Sequence, residues 1–598
     1  MYDLLIKGGL VIDGTGADGI QADVAVRDGR ICDVGRLDEA QARKTVDAAG
    51  KVVTPGFIDS HSHADLTVVR FPDMENLTAQ GVTTICAGQC GMGVAPLGKW
   101  YMSTMGDSQA VEQVIAPLLH PPVPQLETVV LDADEARKAF WDAYGARLDW
   151  SGWGEFTEHL RKEGIGPNMM TLVGHGNLRV QAMGPDCLRV ATDREIDAMV
   201  DLLTQSMEEG ACGLSFGFDY VPSSYAREEE ILALASVVAR YDGLVSAHVQ
   251  HSGLRRGMRD PEFQPYQGFQ EFLEIGRKTG VRLQISHLRT PFKPLSDREA
   301  ASAAEQALMS LIARYRQMGV RVGWDVLPNY PVAGEYAPML ASLFLPYVER
   351  CGSLSRFGEM LGKEAYWKRL LQEVGDGSVL GPSSLLAAPD WDDMWVVTSH
   401  SNPSVPGHTL RQLAQAAGLS PVSMALELLR EDVRTCGRLQ VKQKEYIGFA
   451  DFAHEPDASV GLDVSGCPFD CNVERCPDMP PVYLGSYSDF AGMIFFLTHP
   501  DLADLRREDK IAALTGRTAR NLGLKDRGLI QAGMRADLLV IDWDALDPNI
   551  DYIHPNTAPK GLEQVYVNGV LTVEGGVPLN PRAGQVIDNS DRLRSECG

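Results

Sequence analysis

The sequence predicts an α/β protein: a (β/α)8 TIM-like barrel, with a small β-sandwich domain built from both chain termini. Three observations predict it. From residue 56 onward short apolar runs alternate with helical stretches, the rhythm of parallel βα units. Polar residues gather at the C-terminal ends of those runs, the end where such a barrel carries its active site. At both ends of the chain the pattern is instead one of short strands joined by tight turns. The expected division is 1–55 for the first part of the β domain, 56–522 for the barrel with insertions, and 523–598 for the second part of the β domain.

Residues 1–55 read as all-β. Leu4-Leu5-Ile6 leads to Gly8-Gly9, and Leu10-Val11-Ile12 to Asp13-Gly14. In the run from Ala22 to Arg27, Ala22, Val24 and Val26 fall on one face of a strand, and Asp28-Gly29 follows as a hairpin turn. So few strands close a core poorly alone and need partners from elsewhere. Those partners are expected near the C-terminus, in Ala536–Asp542, Gln564–Gly569 and Leu571–Val573, where Asn568-Gly569 is a hairpin signal.

Eight barrel strands are expected, at 52–60, 81–88, 168–175, 210–216, 243–248, 281–287, 320–327 and 481–489. Three intervals exceed the usual βα loop and read as insertions over or beside the barrel mouth: 91–150, with His120 to Pro124; 335–400, with Trp391; and 455–480, with Cys467, Cys471 and Cys476. That cysteine trio lacks zinc-ribbon spacing and is left unassigned.

Composition excludes several classes. Of 598 residues, 44% are hydrophobic and 23% charged, an ordinary globular balance. The net charge of −25 argues against nucleic acid as a partner, because phosphate binding needs basic patches. Eleven scattered cysteines do not form a disulfide framework. The first residues lack a basic start and a long apolar stretch, and no window approaches about 18 uninterrupted apolar residues, so neither export nor a membrane span is expected. A cytoplasmic location is the default. A homo-oligomer is compatible with the sequence and not specified by it.

The chemistry concentrates at the strand ends. In Asp59-Ser60-His61-Ser62-His63, residues 61 and 63 point the same way in an extended strand and can aim two imidazoles at one point. Cys90 stands just past the second strand, His248 and His287 end the fifth and sixth, and Asp489 ends the eighth. Four imidazoles, one thiolate and one carboxylate suffice for two zinc-like sites with a position open to water. A thiolate can bridge two ions.

With those residues in view, the chain resembles the amidohydrolase superfamily. The resemblance rests on Pro55 to Asp65, Gly81-Val82-Thr83-Thr84 leading to Cys90-Gly91, Val173 to Gly176, Gly213-Leu214-Ser215, Ile285-Ser286-His287, and Asp526-Arg527-Gly528 with Ala536-Asp537. It is most similar to the D-aminoacylase branch, the N-acyl-D-amino-acid deacylases, for which cysteine on the second strand is the mark. What the resemblance implies is a zinc-dependent hydrolase of a linear amide in a small-molecule substrate. Cys90, His248 and His287 would hold the tighter zinc ion. His61 and His63, sharing Cys90, would hold a second, weaker one. Asp489 would be the general base and then the acid toward the leaving nitrogen. Arg289 occupies the place where family members often carry a lysine that meets the substrate carboxylate.

His175, Ser215, Tyr220 and Tyr330 are further candidates for lining the substrate pocket, whereas Cys86 and His251 read as packing residues. The family pattern fails at two places. Asp489 is followed by Phe490 where glycine is usual, and His499-Pro500 by Asp501 where an arginine for the substrate carboxylate is usual. Two rival readings remain: a cyclic-amide hydrolase of the hydantoinase or dihydroorotase kind, disfavoured because Ser215-Phe216 stands where a lysine is needed, and a non-catalytic scaffold, disfavoured by the full donor set.

Overall fold

The computed structural model describes residues 1–103, 128–251, 254–255, 258–259, 262–264, 266–289, 298–328, 340–351, 354–375, 394–399, 401–402, 404–433, 435–439, 450–469, 488–550 and 556–593. Its centre is a barrel of eight parallel strands. In order these are Phe57–Asp59, Val82–Ala87, Asn168–Thr171 continuing into Val173–Gly174, Gly213–Gly217, Leu244–His248, Arg282–Ile285, Val322–Val326 and Ala458–Val460. Each pairs in parallel with the next. The fourth to eighth strands are buried at every position except Arg282, as expected where helices cover the outer face and side chains fill the interior.

The barrel closes between the first and eighth strands. Ser60 N donates to Val460 O at 3.1 Å, Asp463 N to His61 O at 2.8 Å and His63 N to Val464 O at 2.8 Å. The seam thus carries pairing past the eighth strand as far as Val464. Between strands three and four the wall is shared. The first half of strand three pairs with Val586–Ile587 and the second half with strand four. Residues 586–592 therefore pack at this wall: Asn589 N donates to Gly210 O, and the buried Arg592 donates through Nη1 to Leu522 O.

The eighth strand corrects the expectation of 481–489. Residues 488–498 form a helix, Ser488–Thr498, and 481–487 lie outside the described residues. The physical reason is plain in both places. The helix is apolar on every side, with Phe490, Met493, Ile494, Phe496 and Leu497 all buried, so no period separates it from a buried strand. The true strand has three residues and gives almost no signal.

The interval expected at 335–400 extends to Leu439. Five helices, Leu345–Cys351, Leu354–Leu361, Glu364–Gly375, Leu410–Ala417 and Pro421–Glu431, join an antiparallel pair, Met394–Thr398 with Cys436–Leu439. They share their own core of Phe344, Val348, Phe357, Leu426 and Leu429. From the interval 91–150 the structure shows the antiparallel pair Trp100–Met102 with Val130–Asp132 and the helix Ala133–Tyr144. His120 to Pro124, Trp391, Cys471 and Cys476 lie outside the described residues.

Strands from both termini meet in one nine-stranded sheet. Val52–Pro55 runs antiparallel to Leu538–Ile541, which joins the two halves, and Ile6, Val24, Val53, Leu538, Val540 and Tyr566 form its core. Asn568 and Gly569, both at positive φ, make the hairpin between Leu562–Val567 and Val570–Glu574. Among the described residues no helix is long and apolar enough to cross a membrane.

One glycine controls the turn that leads to the barrel mouth. Gly88 has φ +74°, and a Cβ there would stand 2.1 Å from Leu172 O, a backbone atom that cannot step aside. Gly88→Ala is expected to destabilise the protein by about 2–5 kcal/mol, the sum of a left-handed alanine and overpacking. A denaturant midpoint equal to wild type would show that the turn relaxes.

Candidate metal centre

Six side chains converge where strands one, two, five, six and eight end. His61 and His63 come from the segment after strand one, Cys90 from the turn after strand two, His248 from the end of strand five, His287 from just past strand six, and Asp463 from just past strand eight. All are buried, none more than 5% exposed. Cys90 Sγ lies 3.4 Å from His61 Nε2 and 3.9 Å from His287 Nε2. His248 Nδ1 lies 2.9 Å from His287 Nε2. Asp463 Oδ1 lies 3.2 Å from His61 Nε2 and 3.0 Å from His63 Nε2.

Three of these residues have backbone in the left-handed region that side chains usually avoid: Cys90 at φ +54°, His287 at +38° and Asp463 at +59°. Such conformations cost on the order of 1–3 kcal/mol each and persist only where the surroundings impose them. Here the surroundings do. Gly91 N donates to Ser215 Oγ at 3.0 Å, His287 N to Asp325 Oδ1 at 2.7 Å, and Asp463 N to His61 O at 2.8 Å.

The electrostatics are those of a cation site. Burial alone would raise the Cys90 thiol, yet the neighbouring imidazoles, His61 first, pull it well below its usual value. Burial is likewise overridden at Asp463, held well below the ordinary carboxylate range by His61 and His63. Asp463 and Cys90 in turn lift His63 to about 10, against its burial. His287 is pushed down to about 4, by burial and then by the adjacent His248. A thiol and a carboxyl group, both drawn toward their ionised forms, thus stand among imidazoles, the charge arrangement that suits a divalent ion.

The donor set fits zinc. With Zn–N about 2.0–2.1 Å and Zn–S about 2.3 Å, tetrahedral ligands stand about 3.3–3.6 Å apart. The observed contacts of 2.9, 3.4 and 3.9 Å bracket that spacing. The three donor groups His61–His63–Cys90, Cys90–His248–His287 and His61–His287–Asp463 overlap, as two adjacent ions with shared ligands require.

Other candidates are distributed differently. Tyr220 enters the cluster, its hydroxyl 2.9 Å from His248 Nδ1. Arg289 follows His287 by two residues; its Nε is buried without a hydrogen-bond partner among the described residues. His175 and Ser215 do not line the cluster. His175 Nδ1 pairs with Ser223 Oγ and Nε2 with Glu230 Oε1, both at 2.9 Å, and Arg179 Nη1 holds Glu230 at 2.6 and 2.7 Å. Ser215 takes the Gly91 amide. Both therefore brace the surroundings of the Cys90 turn. Cys86 is buried beneath it and accepts from Gln89 Nε2. His251 packs between His248 and Phe269. Tyr330 lies outside the described residues.

Asp489 opens the helix Ser488–Thr498, and its side chain lies outside the described residues. Among the described residues, the carboxylate that lies among the imidazoles is Asp463. Sequence reasoning missed it because Asp463 fell in an interval read as an insertion. A signal was present: Ala458-Ser459-Val460 is followed by Gly461-Leu462-Asp463, an apolar run ending in a carboxylate.

A barrel with this donor array at its strand ends is the architecture of a metal-dependent amidohydrolase, and an amidohydrolase-family model matches residues 44–272. Residues 44–272 thus carry an amidohydrolase-family domain. The chain's full-length likeness is to the D-aminoacylase branch. D-aminoacylase of Alcaligenes xylosoxydans xylosoxydans is 28% identical over 588 residues, covering 98% of this chain and 97% of the relative. N-acyl-D-glutamate deacylase of the same organism is 28% identical over 585 residues, 98% and 96% of the two chains. A crystal structure of N-acyl-D-glutamate deacylase from Bordetella bronchiseptica, complexed with zinc and a phosphonate mimic of the tetrahedral intermediate, superposes with a TM-score of 0.67 at 26% identity, covering 98% of this chain and 99% of that one.

The brace under Cys90 yields a prediction. Arg179 and Glu230 are buried, so Glu230→Ala leaves a guanidinium without its carboxylate. Breaking a buried pair on one side costs about 3–5 kcal/mol. A large drop in unfolding midpoint is expected; a drop of under about 1 kcal/mol, the range of an exposed pair, would show that water reaches Arg179.

Proposed function

We propose that this protein is a zinc-dependent amidase that cleaves the linear amide bond of an N-acyl-D-amino acid or a closely related N-acyl amide. The observation that carries this reading is the convergence of His61, His63, Cys90, His248, His287 and Asp463 in one buried cluster at the barrel's strand ends. Cys90, His248 and His287 would hold the tighter ion. His61 and His63, with Cys90 and Asp463, would hold a second and weaker one. D-aminoacylase itself has a binuclear centre with one-metal activation and second-metal attenuation. A bound ion supplies Lewis acidity toward the amide carbonyl and an activated water near neutral pH.

The remaining steps fall to the chain's own residues. Asp463, ionised beside His61, accepts a proton from the attacking water and returns it to the leaving nitrogen. This is the role that the family resemblance implied for Asp489. Tyr220 presents a hydroxyl able to donate to the polarised carbonyl oxygen. Arg289 offers a guanidinium fork to the substrate carboxylate, in the absence of an arginine after His499-Pro500. The D configuration is supported by the relatives, which deacylate N-acyl-D-glutamate and N-acyl-D-aspartate. A cytoplasmic location suits Cys32, Cys86, Cys90, Cys187, Cys212 and Cys351, which stand as free thiols.

Three outcomes are expected. Chelation should abolish hydrolysis across a panel of N-acyl-D- and N-acyl-L-amino acids, and zinc should restore it for the D series; activity indifferent to chelation would refute the metal reading. Asp463→Asn should lower kcat by about 10²–10⁴-fold with zinc still bound, whereas Asp489→Asn should not. The reverse result would return the proton-carrying role to Asp489. Cys90→Ala should strip most of the zinc, as counted by elemental analysis.

A further inference from the structure

We propose that Asp219 is a positioning residue: its carboxylate fixes which nitrogen of His248 faces the cluster, and so makes the Cys90–His248–His287 site the tighter of the two. The inference rests on the metal reading above and names a residue of this chain that sets its asymmetry.

Strand pairing puts Asp219 in place. Gly217 at the end of strand four lies opposite His248 at the end of strand five, and Phe218 N donates to His248 O at 2.9 Å. One residue further on, the buried Asp219 brings Oδ2 to 3.1 Å from His248 Nε2. The His251 amide donates to both Asp219 oxygens, at 3.2 and 3.0 Å, which anchors the carboxylate itself. A carboxylate accepts and does not donate, so Nε2 carries the ring hydrogen and Nδ1 presents its lone pair. Nδ1 is the atom 2.9 Å from both His287 Nε2 and Tyr220 Oη.

Among the described residues the other three imidazoles lack this support. Nδ1 of His61, of His63 and of His287 has no hydrogen-bond partner among the described residues. Asp325 Oδ1 stands 3.8 Å from His61 Nδ1, beyond hydrogen-bond length. Of four imidazoles, one is oriented from behind by a carboxylate, and it serves one of the two sites. A carboxylate behind a ligating histidine fixes the ring and raises its basicity, and losing it typically costs 10–100-fold in metal affinity.

The test is a zinc titration of the full-length protein after metal removal, in competition with a chromogenic chelator, on wild type, Asp219→Ala, Asp219→Asn and Asp219→Glu. The expected result is a tight-site Kd about 10–100-fold weaker in Asp219→Ala, with the weaker site unmoved. Asp219→Asn, equal in shape and still an acceptor, should fall between, and Asp219→Glu should recover part of the loss. An unchanged tight-site Kd in Asp219→Ala would overturn the proposal. So would equal weakening of both sites with a lower melting temperature of the metal-free protein, which marks a merely structural role. Wild type that takes up no zinc would instead remove the metal reading itself, so the two failures are distinguishable.

Discussion

The seam between the first and eighth barrel strands is the constraint on which the site depends. Asp463 N donates to His61 O, and His63 N to Val464 O, so the segments bearing His61, His63 and Asp463 are stitched to one another by backbone. Those bonds set the approach of one carboxylate to two imidazoles before any side chain chooses a rotamer. The same bonds hold Asp463 in a left-handed conformation that an isolated aspartate would leave. Closing the barrel and assembling half of the candidate metal centre are one event.

The other half is built from the strand-two turn and the ends of strands five and six. Cys90 faces the cluster only because its turn is left-handed and packed on glycine: a Cβ on Gly91 would meet Gly217 N at 2.8 Å. Ser215, Ser223, His175, Glu230 and Arg179 form the polar support around that turn. His248 and His287 are then brought against the thiolate by parallel pairing of their strands. The cluster is thus preorganised by groups that lie outside it, as a site of defined geometry requires.

Two regions outside the barrel show where local pattern and global fold part company. The described residues between 340 and 439 have a hydrophobic core of their own, which fits an inserted unit. Residues 586–592 leave the terminal sheet and fill the wall between strands three and four. Nothing in Gln585-Val586-Ile587-Asp588 distinguishes a strand of the barrel from a strand of the sheet, because either would bury the same two apolar side chains.

Much of the protein was legible in its residues. Seven barrel strands, the join of the two termini, the Asn568-Gly569 hairpin and five of the six clustered donors all lie on strong local signals: apolar runs, turn pairs, and histidines or a cysteine at strand ends. Local chemistry determines these because a strand buried on both faces must be apolar along its length and can be polar only where it ends. Tertiary structure alone decided the eighth strand and with it Asp463. A three-residue strand carries too little periodicity to be seen, and the apolar run before Thr498 satisfies helix and strand equally. It also decided that His175 and Ser215 brace the Cys90 turn while Asp219 reaches His248, since side-chain partners 29 to 124 residues apart in sequence are set by packing and by no local rule.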